Sequence, residues 1–242
     1  MSWISRARGQ FAFFDSVLGK PDWKDKRVLD FGGNVGNLLR DPNCTIKPRN
    51  YWCIDVSRDA IQTGKRDFPD AHWFFLDRYN FAFNPTGIAG MRLPELDVRF
   101  DFILAYSVFT HIASEEMIET IDELRRLLEK GGLLAVSFFD PNVIVRSEPG
   151  GPTTLKKRLE KIRKDNGSID VEGLLEQARN ARRCIIVNDG DLYVDCDDIG
   201  NHMEHKSFQT FFTHDFMKEL FPEAIIQPPL NGGPHSCCIL RA

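Results

Sequence analysis

Short apolar runs and amphipathic stripes alternate along the first 140 residues of the chain. The runs have the length of strands, contain many β-branched and aromatic residues, and lie at 27–31, 51–55, 71–76, 100–106 and 133–139. The clearest helical stripe covers 114–128 and stops at Gly131 and Gly132, which predicts a glycine C-cap. Strands that alternate with helices favour a parallel, doubly wound α/β sheet with right-handed crossovers.

Other helices are predicted around this sheet. Apolar residues at helical spacing over 6–18 predict an amphipathic helix, within an N-terminal segment 1–20 that could act as a lid. Ser57 follows the second strand and has the side chain of an N-cap, so a helix is predicted from there. A short helix is also expected between the third and fourth strands, in a stretch that contains proline and glycine.

The alternation breaks after residue 140. Residues 142–207 are predicted to form an inserted cap that contains two helix-like segments and a hairpin, at 155–164, 171–183 and 184–196. A helix is then predicted at 213–220, followed by two strands at 224–227 and 236–241 that should pair antiparallel. We therefore predict a single domain over 1–242.

Composition narrows the classes of protein to consider. The 242 residues carry a formal net charge of −4, which disfavours a nucleic-acid partner but leaves room for a local basic patch. Because no run of eighteen apolar residues is present and the first residues lack a signal-peptide pattern, we expect no membrane partner and a cytoplasmic location. The six cysteines form no CxxC pair and are expected to be buried thiols.

The loop after the first strand carries most of the chemical information. Its sequence, DFGGNVGN over 30–37, has glycines that let the backbone approach a ligand at the carboxyl end of a strand. An NAD fingerprint starting at Gly32 would need glycines at positions 34 and 37, where this chain has Asn34 and Asn37. A phosphate-binding P-loop is also disfavoured, since its Gly-Lys-Ser/Thr sequence is absent.

This loop resembles the first motif of the class I S-adenosylmethionine (SAM)-dependent methyltransferases, acidic-x-Gly-x-Gly-x-Gly. Asp30, Gly32 and Gly36 match the motif, and Asn34 replaces the middle glycine, a mild departure because asparagine tolerates left-handed backbone. The segments 100–112 and 123–134 resemble the family's small-molecule branch. The resemblance implies a Rossmann-like, mostly parallel seven-stranded sheet with a terminal antiparallel strand pair and a cap inserted after strand 5.

The resemblance also assigns roles to individual residues. It places the ribose hydroxyls of SAM on Asp55 and the adenine beside Asp77, with the backbone amide of Arg78 next to it. The full set of cofactor-binding residues that it implies is Asp30, Gly32, Gly33, Asn34, Gly36, Asp55, Val56, Asp77, Arg78, Tyr106 and Ser107. The alternatives are structural: glycines that pack a helix on a strand, Asp55 as a helix cap, and Asp77 in a surface turn.

His111, just beyond the fourth strand, is the candidate catalytic residue. Its imidazole could remove a proton from the acceptor near neutral pH. It could instead order the loop before the next helix or pack beneath the cofactor. Methyl transfer does not always need a base, because the sulfonium is already activated and proximity can supply much of the acceleration.

Other chemistry-bearing residues carry weaker signals. No metal template matches the spacing of the six His and Asp residues His202, His205, His214, Asp195, Asp197 and Asp198. Asp140 and Asn142 resemble two ligands of a metal site, but the end of the fourth strand supplies no carboxylate to complete it. No metal is therefore predicted. The basic residues over 156–164 are expected to form a solvated helix face, or else to meet an acidic acceptor or a phosphate. The aromatic residues over 208–212 either pack or line an acceptor pocket.

The sequence therefore predicts an enzyme that transfers the methyl group of SAM to an oxygen or nitrogen of a small-molecule acceptor, with S-adenosylhomocysteine (SAH) as the product. Two alternatives stay open. One is methylation of protein or RNA, which an open basic groove in the insertion would favour. The other is a SAM-binding protein that has lost methyl transfer and serves as a scaffold or catalyses another rearrangement.

Overall fold

A computed structural model of the chain describes residues 9–141, 160, 170–188, 191–195, 209–230 and 234–242. Several of the segments discussed above lie outside these residues. They include most of the predicted basic helix over 155–164, the first eight residues of the predicted lid, Asn142, and the two histidines at 202 and 205.

The described strands form one large sheet and one small sheet. The strands of the large sheet are β1 (Val28–Phe31), β2 (Tyr51–Asp55), β3 (His72–Phe75), β4 (Phe100–Ala105), β5 (Leu128–Phe138), β9 (Ile225–Gln227) and β10 (Ser236–Arg241). Their spatial order is β3-β2-β1-β4-β5-β10-β9, and β10 is antiparallel to both of its neighbours while the other pairs are parallel. The predicted seven-stranded, mostly parallel sheet with a terminal antiparallel pair is confirmed.

The small sheet follows β5 along the chain and has the order β7-β6-β8. Its strands are β6 (Cys184–Asn188), β7 (Asp191–Val194) and β8 (Gln209–Phe212), and the predicted hairpin pairs Asn188 with Asp191. β8 was not predicted as a strand. Its residues Phe211 and Phe212 are fully buried, so these two aromatic side chains pack in the interior.

Helices cover both faces of the large sheet. α1 (Gln10–Val17) and α2 (Arg58–Asp67) lie on one face, and α3 (Ser114–Arg125) and α5 (His214–Leu220) lie on the other, while α4 (Val171–Arg179) packs beside β7 of the small sheet. Side chains of a strand alternate between the two faces, so Val28 packs on the α1 side and Leu29 on the α3 side. The predicted N-cap of α2 is confirmed, because Ser57 Oγ accepts a hydrogen bond from the Ala60 N–H at 3.3 Å.

The predicted glycine cap at the end of α3 is wrong. The helix ends at Arg125, and β5 begins at Leu128 and runs through both glycines. Leu128 pairs with Phe100, and the register shifts before the next pair, Phe102 with Leu133. Gly131, with φ of +79°, takes up this irregularity within the strand instead of terminating a helix.

Two crossovers also differ from the predicted alternation of strands and helices. After β1 the described chain forms consecutive turns over 34–40 and a short 3₁₀-helix, Pro48–Asn50, in place of an α-helix. Between β3 and β4 the predicted short helix is absent, and turns and isolated bridges such as Arg78 with Ile88 occupy this stretch.

Within the described part of the chain, no helix is long and apolar enough to span a bilayer.

Candidate active site

The loop after β1 passes too close to its neighbours for a side chain at Gly32 or Gly33. A Cβ atom on Gly32, whose φ is +72°, would lie 2.3 Å from Val108 Cγ2 in the loop after β4. A Cβ atom on Gly33 would lie 2.4 Å from Asp30 Oδ2. Asn34 adopts φ of +54°, which is the left-handed conformation that asparagine tolerates. The backbone of this loop therefore packs closely against Asp30 of β1 on one side and against the loop after β4 on the other.

Asp55, at the end of β2, fixes this loop through its carboxylate. Asp55 Oδ2 accepts a hydrogen bond from the Asn34 N–H at 2.8 Å, and Oδ1 accepts one from the Ser57 N–H at 2.7 Å. Burial raises the pKa of Asp55, while the backbone donors Ser57 and Asn34 act in the opposite direction. A carboxylate has about four lone-pair sites, so Asp55 can still accept hydrogen bonds from hydroxyl groups.

Asp30 lies behind the loop. Its carboxylate is 2% exposed and accepts a hydrogen bond from the Tyr51 hydroxyl at 2.6 Å. Burial raises the pKa of Asp30 to about 7, even though the hydrogen bond from Tyr51 lowers it. Asp30 thus touches the glycine loop from inside the protein and supports its backbone.

A cavity of about 360 Å³ opens beside this loop, at the carboxyl ends of β1, β2 and β4. Eight of the predicted site residues line it: Gly32, Asn34, Asp55, Val56, Arg78, Tyr106, Ser107 and His111. Four do not: Asp30, Gly33, Gly36 and Asp77. The cavity is also lined by residues outside the predicted site, among them Gln10, Asn37, Tyr79, Asn80, Glu116 and Thr120.

Asp77 and Arg78 point to different surroundings at the end of β3. Asp77 Oδ1 accepts a hydrogen bond from Asn84 Nδ2 at 3.0 Å and lines a separate surface cleft. The guanidinium of Arg78 reaches α3, where it donates to Thr120 Oγ1 at 2.9 Å and to Glu123 Oε2 at 3.3 Å. The side chain of Asp77 thus stabilises the turn after β3, and the side chain of Arg78 connects that turn to α3 by hydrogen bonds.

The loop after β4 is held in an unusual backbone conformation. Ser107 has φ of +59°, and its N–H donates to Ser137 Oγ at 2.7 Å while its Oγ lies 3.0 Å from Thr110 Oγ1. A 3₁₀-helix, Phe109–His111, follows and places His111 half-buried at the wall of the cavity. The side chain named as a candidate base therefore faces the same cavity as Asp55.

Tyr106 connects this cavity to a second, buried histidine that the sequence did not single out. The Tyr106 hydroxyl lies 3.2 Å from Nδ1 of His235, and their rings lie 4.5 Å apart. Nε2 of His235 is buried and has no hydrogen-bond partner within the described residues. Burial, and to a smaller extent the neighbouring His111, lowers the pKa of His235 to about 4.

This buried imidazole should make stability depend on pH. The unfolded chain binds a proton at His235 below about pH 6.5 and the native state only near pH 4, so stability is lost as the pH falls through this window. The loss should reach about 3 kcal/mol, at roughly 1.4 kcal/mol per pKa unit. In urea titrations from pH 7 to pH 4, His235→Phe should remove this component from the parent's pH profile, and an unchanged profile would show that His235 does not contribute it.

Of the residues considered as a metal cluster, Asp195 and His214 lie within the described part of the chain, and Asp197, Asp198, His202 and His205 lie outside it. Within the described ranges, no group of three or more His, Cys, Asp or Glu side chains could hold a metal ion. Asp195 instead accepts backbone N–H groups, from Arg182 at 2.9 Å and Cys184 at 3.1 Å. His214 begins α5 on the surface.

Known proteins resemble both this sequence and this fold. Residues 29–134 match the Methyltransferase domain family. An uncharacterized protein of Rickettsia prowazekii is 24% identical over 125 residues, which make up 50% of this chain and 46% of that protein. The chain thus spans about half the length of this curated relative.

Solved structures share the fold over nearly the whole chain. The PH0226 protein from Pyrococcus horikoshii is 16% identical, with a TM-score of 0.54 over 99% of this chain and 92% of that one. Magnesium protoporphyrin IX methyltransferase from Synechocystis, solved with bound SAH, is 12% identical, with a TM-score of 0.51 over 100% and 87%. The expected resemblance to the class I SAM-dependent methyltransferases is confirmed.

Proposed function

We propose that this chain, with its methyltransferase domain over 29–134 and its class I fold, binds SAM and transfers the methyl group to an acceptor. The observation that carries the proposal is the meeting of Asp55 and the loop at Gly32–Asn34 in one cavity. A buried carboxylate with free lone pairs suits the two ribose hydroxyls. The backbone of the left-handed loop lies beside it, where a ligand can approach closely.

Other residues that line the cavity suit an acceptor. When bound, SAM supplies a sulfonium methyl group that is already activated for transfer, so the protein's main task is to orient the acceptor. Gln10 of α1, Tyr106 and His111 line the cavity together and offer hydrogen-bonding groups for this purpose. We propose a small hydroxylated or amino compound as the acceptor, because α1 contributes Gln10 to the wall of the cavity.

Two experiments test this function in sequence. Calorimetry with SAM and SAH should detect binding of both, and binding of neither would refute the proposal. Transfer of a labelled methyl group is then measured across small hydroxylated and amino compounds, peptides and RNA. Transfer only to peptides or RNA would replace the small-molecule acceptor, and binding without any transfer would favour a SAM-binding scaffold.

His111 should act as the general base if the acceptor must lose a proton before or during transfer. His111→Ala should then lower kcat/KM for the acceptor found in the panel by about 10²-fold or more, a typical contribution of a positioned base. The control is SAH affinity, which should stay close to that of the parent. If His111→Ala keeps full activity from pH 6 to pH 9, His111 is not the general base and its role is to order the loop.

A further inference from the structure

The cavity contains a second carboxylate, Glu116, in the first turn of α3. We propose that Glu116 accepts a hydrogen bond from the exocyclic amine of the adenine ring, and so selects adenine-containing ligands. This inference rests on the proposed binding of SAM. It moves to α3 a role that the family resemblance gave to Asp77 at the end of β3.

Asp77 is engaged elsewhere. Its carboxylate accepts a hydrogen bond from Asn84 Nδ2 at 3.0 Å, and the same amide donates to the Arg78 carbonyl oxygen at 3.1 Å. The Asp77 carbonyl oxygen accepts the Ile88 N–H at 2.7 Å. Both the side chain and the backbone of Asp77 thus stabilise the turn after β3, and the side chain lines the neighbouring cleft instead of the cavity.

Glu116 is held in place by the packing of its helix. Met117, Ile121 and Leu124 bury one face of α3 in the core, and this anchors the first turn beside the cavity. The side chain of Glu116 is 31% exposed, and burial is the main cause that raises its pKa. A carboxylate that loses hydration without strong compensation gains most from a new hydrogen-bond donor.

Arg78 does not satisfy this carboxylate. Nη1 of Arg78 lies 3.8 Å from Glu116 Oε1, beyond hydrogen-bond distance, while the same nitrogen donates to Thr120 Oγ1 at 2.9 Å. Nη2 of Arg78 donates to Glu123 at 3.3 Å. The charge of Arg78 lowers the pKa of Glu116, against the larger effect of burial, and the distance leaves both carboxylate oxygens able to accept from a ligand.

The composition of the cavity matches a purine. Asp55 and Glu116 are the acidic residues among the described cavity lining, and apolar side chains of Val56, Leu76 and Ile112 share its walls. Apolar walls suit the faces of a planar ring, and the amine of adenine requires an acceptor. With Asp55 assigned to the ribose, Glu116 is the carboxylate that this amine can use. A ring with a carbonyl at that position would meet electrostatic repulsion.

The test compares two ligands on one protein by calorimetry: SAH, and S-inosylhomocysteine, in which a carbonyl oxygen replaces the adenine amine. The parent should bind SAH about 30-fold or more tightly than the inosine analogue, since Glu116 would meet a carbonyl oxygen in place of the amine donor at that position of the ring. Glu116→Gln should shrink this ratio to about 3-fold or less, because the amide can also donate to a carbonyl. Both affinities are measured on the same protein, so a lower fraction of folded protein in a variant would not change their ratio.

Two variants serve as controls. Glu119→Gln alters an exposed carboxylate on the same helix and should keep the ratio of the parent. Asp77→Asn tests the competing assignment and should also keep it. If the parent binds neither ligand, the proposed function fails. If the parent prefers SAH and Glu116→Gln keeps that preference, only the proposed role of Glu116 fails. If the ratio of the two affinities instead falls to about 1 in Asp77→Asn, Asp77 is the residue that binds the adenine amine.

Discussion

Replacing Asp55 with alanine is expected to lower the affinity for SAH by about 100-fold or more. Hydrogen bonds to a charged group contribute about 1.5–3 kcal/mol each, and the proposed contact with the ribose has two of them. The substitution also removes the acceptor for the Asn34 and Ser57 N–H groups, so the loop after β1 loses its tie to β2. Calorimetry at constant pH and salt measures the effect.

Two further variants separate the charge of Asp55 from general damage. Asp55→Asn keeps one oxygen acceptor in place and should weaken SAH binding less, by about 10-fold. Asp70→Ala removes an exposed carboxylate from the turn before β3 and should bind SAH like the parent. Equal affinity of Asp55→Ala and Asp70→Ala would remove Asp55 from the cofactor site.

The large sheet was predictable because its pattern is local. Each parallel strand is a short apolar run, since both faces of the sheet are covered, and this signal needs no knowledge of the partner strand. The extent of β5 was not predictable in this way. Leu128 continues the helical stripe of α3 in the sequence, yet in the structure it pairs with Phe100, a contact set by the neighbouring strand.

The candidate site was predictable at the ends of strands and less so elsewhere. Asp55 follows a recognisable strand, and its position in the cavity follows from the sheet. Glu116 reaches the cavity through the packing of α3, and His235, just before β10, reaches Tyr106; a single sequence has no spacing that predicts either contact. Asp77 is a strand-end residue too, but the partner that fixes its side chain, Asn84, lies seven positions along an irregular turn.

Some residues of the motif at 30–37 lie behind the cavity and do not line it. Asp30 and Gly33 touch each other and Tyr51, and a Cβ atom on Gly36, with φ of +82°, would lie 2.9 Å from Trp73 Cη2. These residues shape the backbone that Gly32 and Asn34 present to the cavity. A motif read from sequence therefore combines residues that contact the ligand with residues that support the loop.

Gly32→Ala should be the most destabilising single substitution in this loop, by about 3 kcal/mol. The left-handed backbone costs an alanine about 1–2 kcal/mol, and its Cβ, 2.3 Å from Val108 Cγ2, adds an overpacking cost of about 1–3 kcal/mol. Either the β1 loop or the β4 loop must move, and both line the cavity, so SAH affinity should fall as well. Urea unfolding and calorimetry measure the two effects.

Gly131→Ala provides a matched control, because Gly131 also has a positive φ, +79°, but a Cβ there would meet no atom within 4 Å. Gly131→Ala should lose only the stability that a positive φ costs an alanine, about 1–2 kcal/mol, and should bind SAH like the parent. Adding Val108→Ala to Gly32→Ala removes the clashing methyl group and should recover the steric part of the loss. If Gly32→Ala is no less stable than Gly131→Ala and still binds SAH, the close approach of the two loops is not needed to hold the cavity in shape.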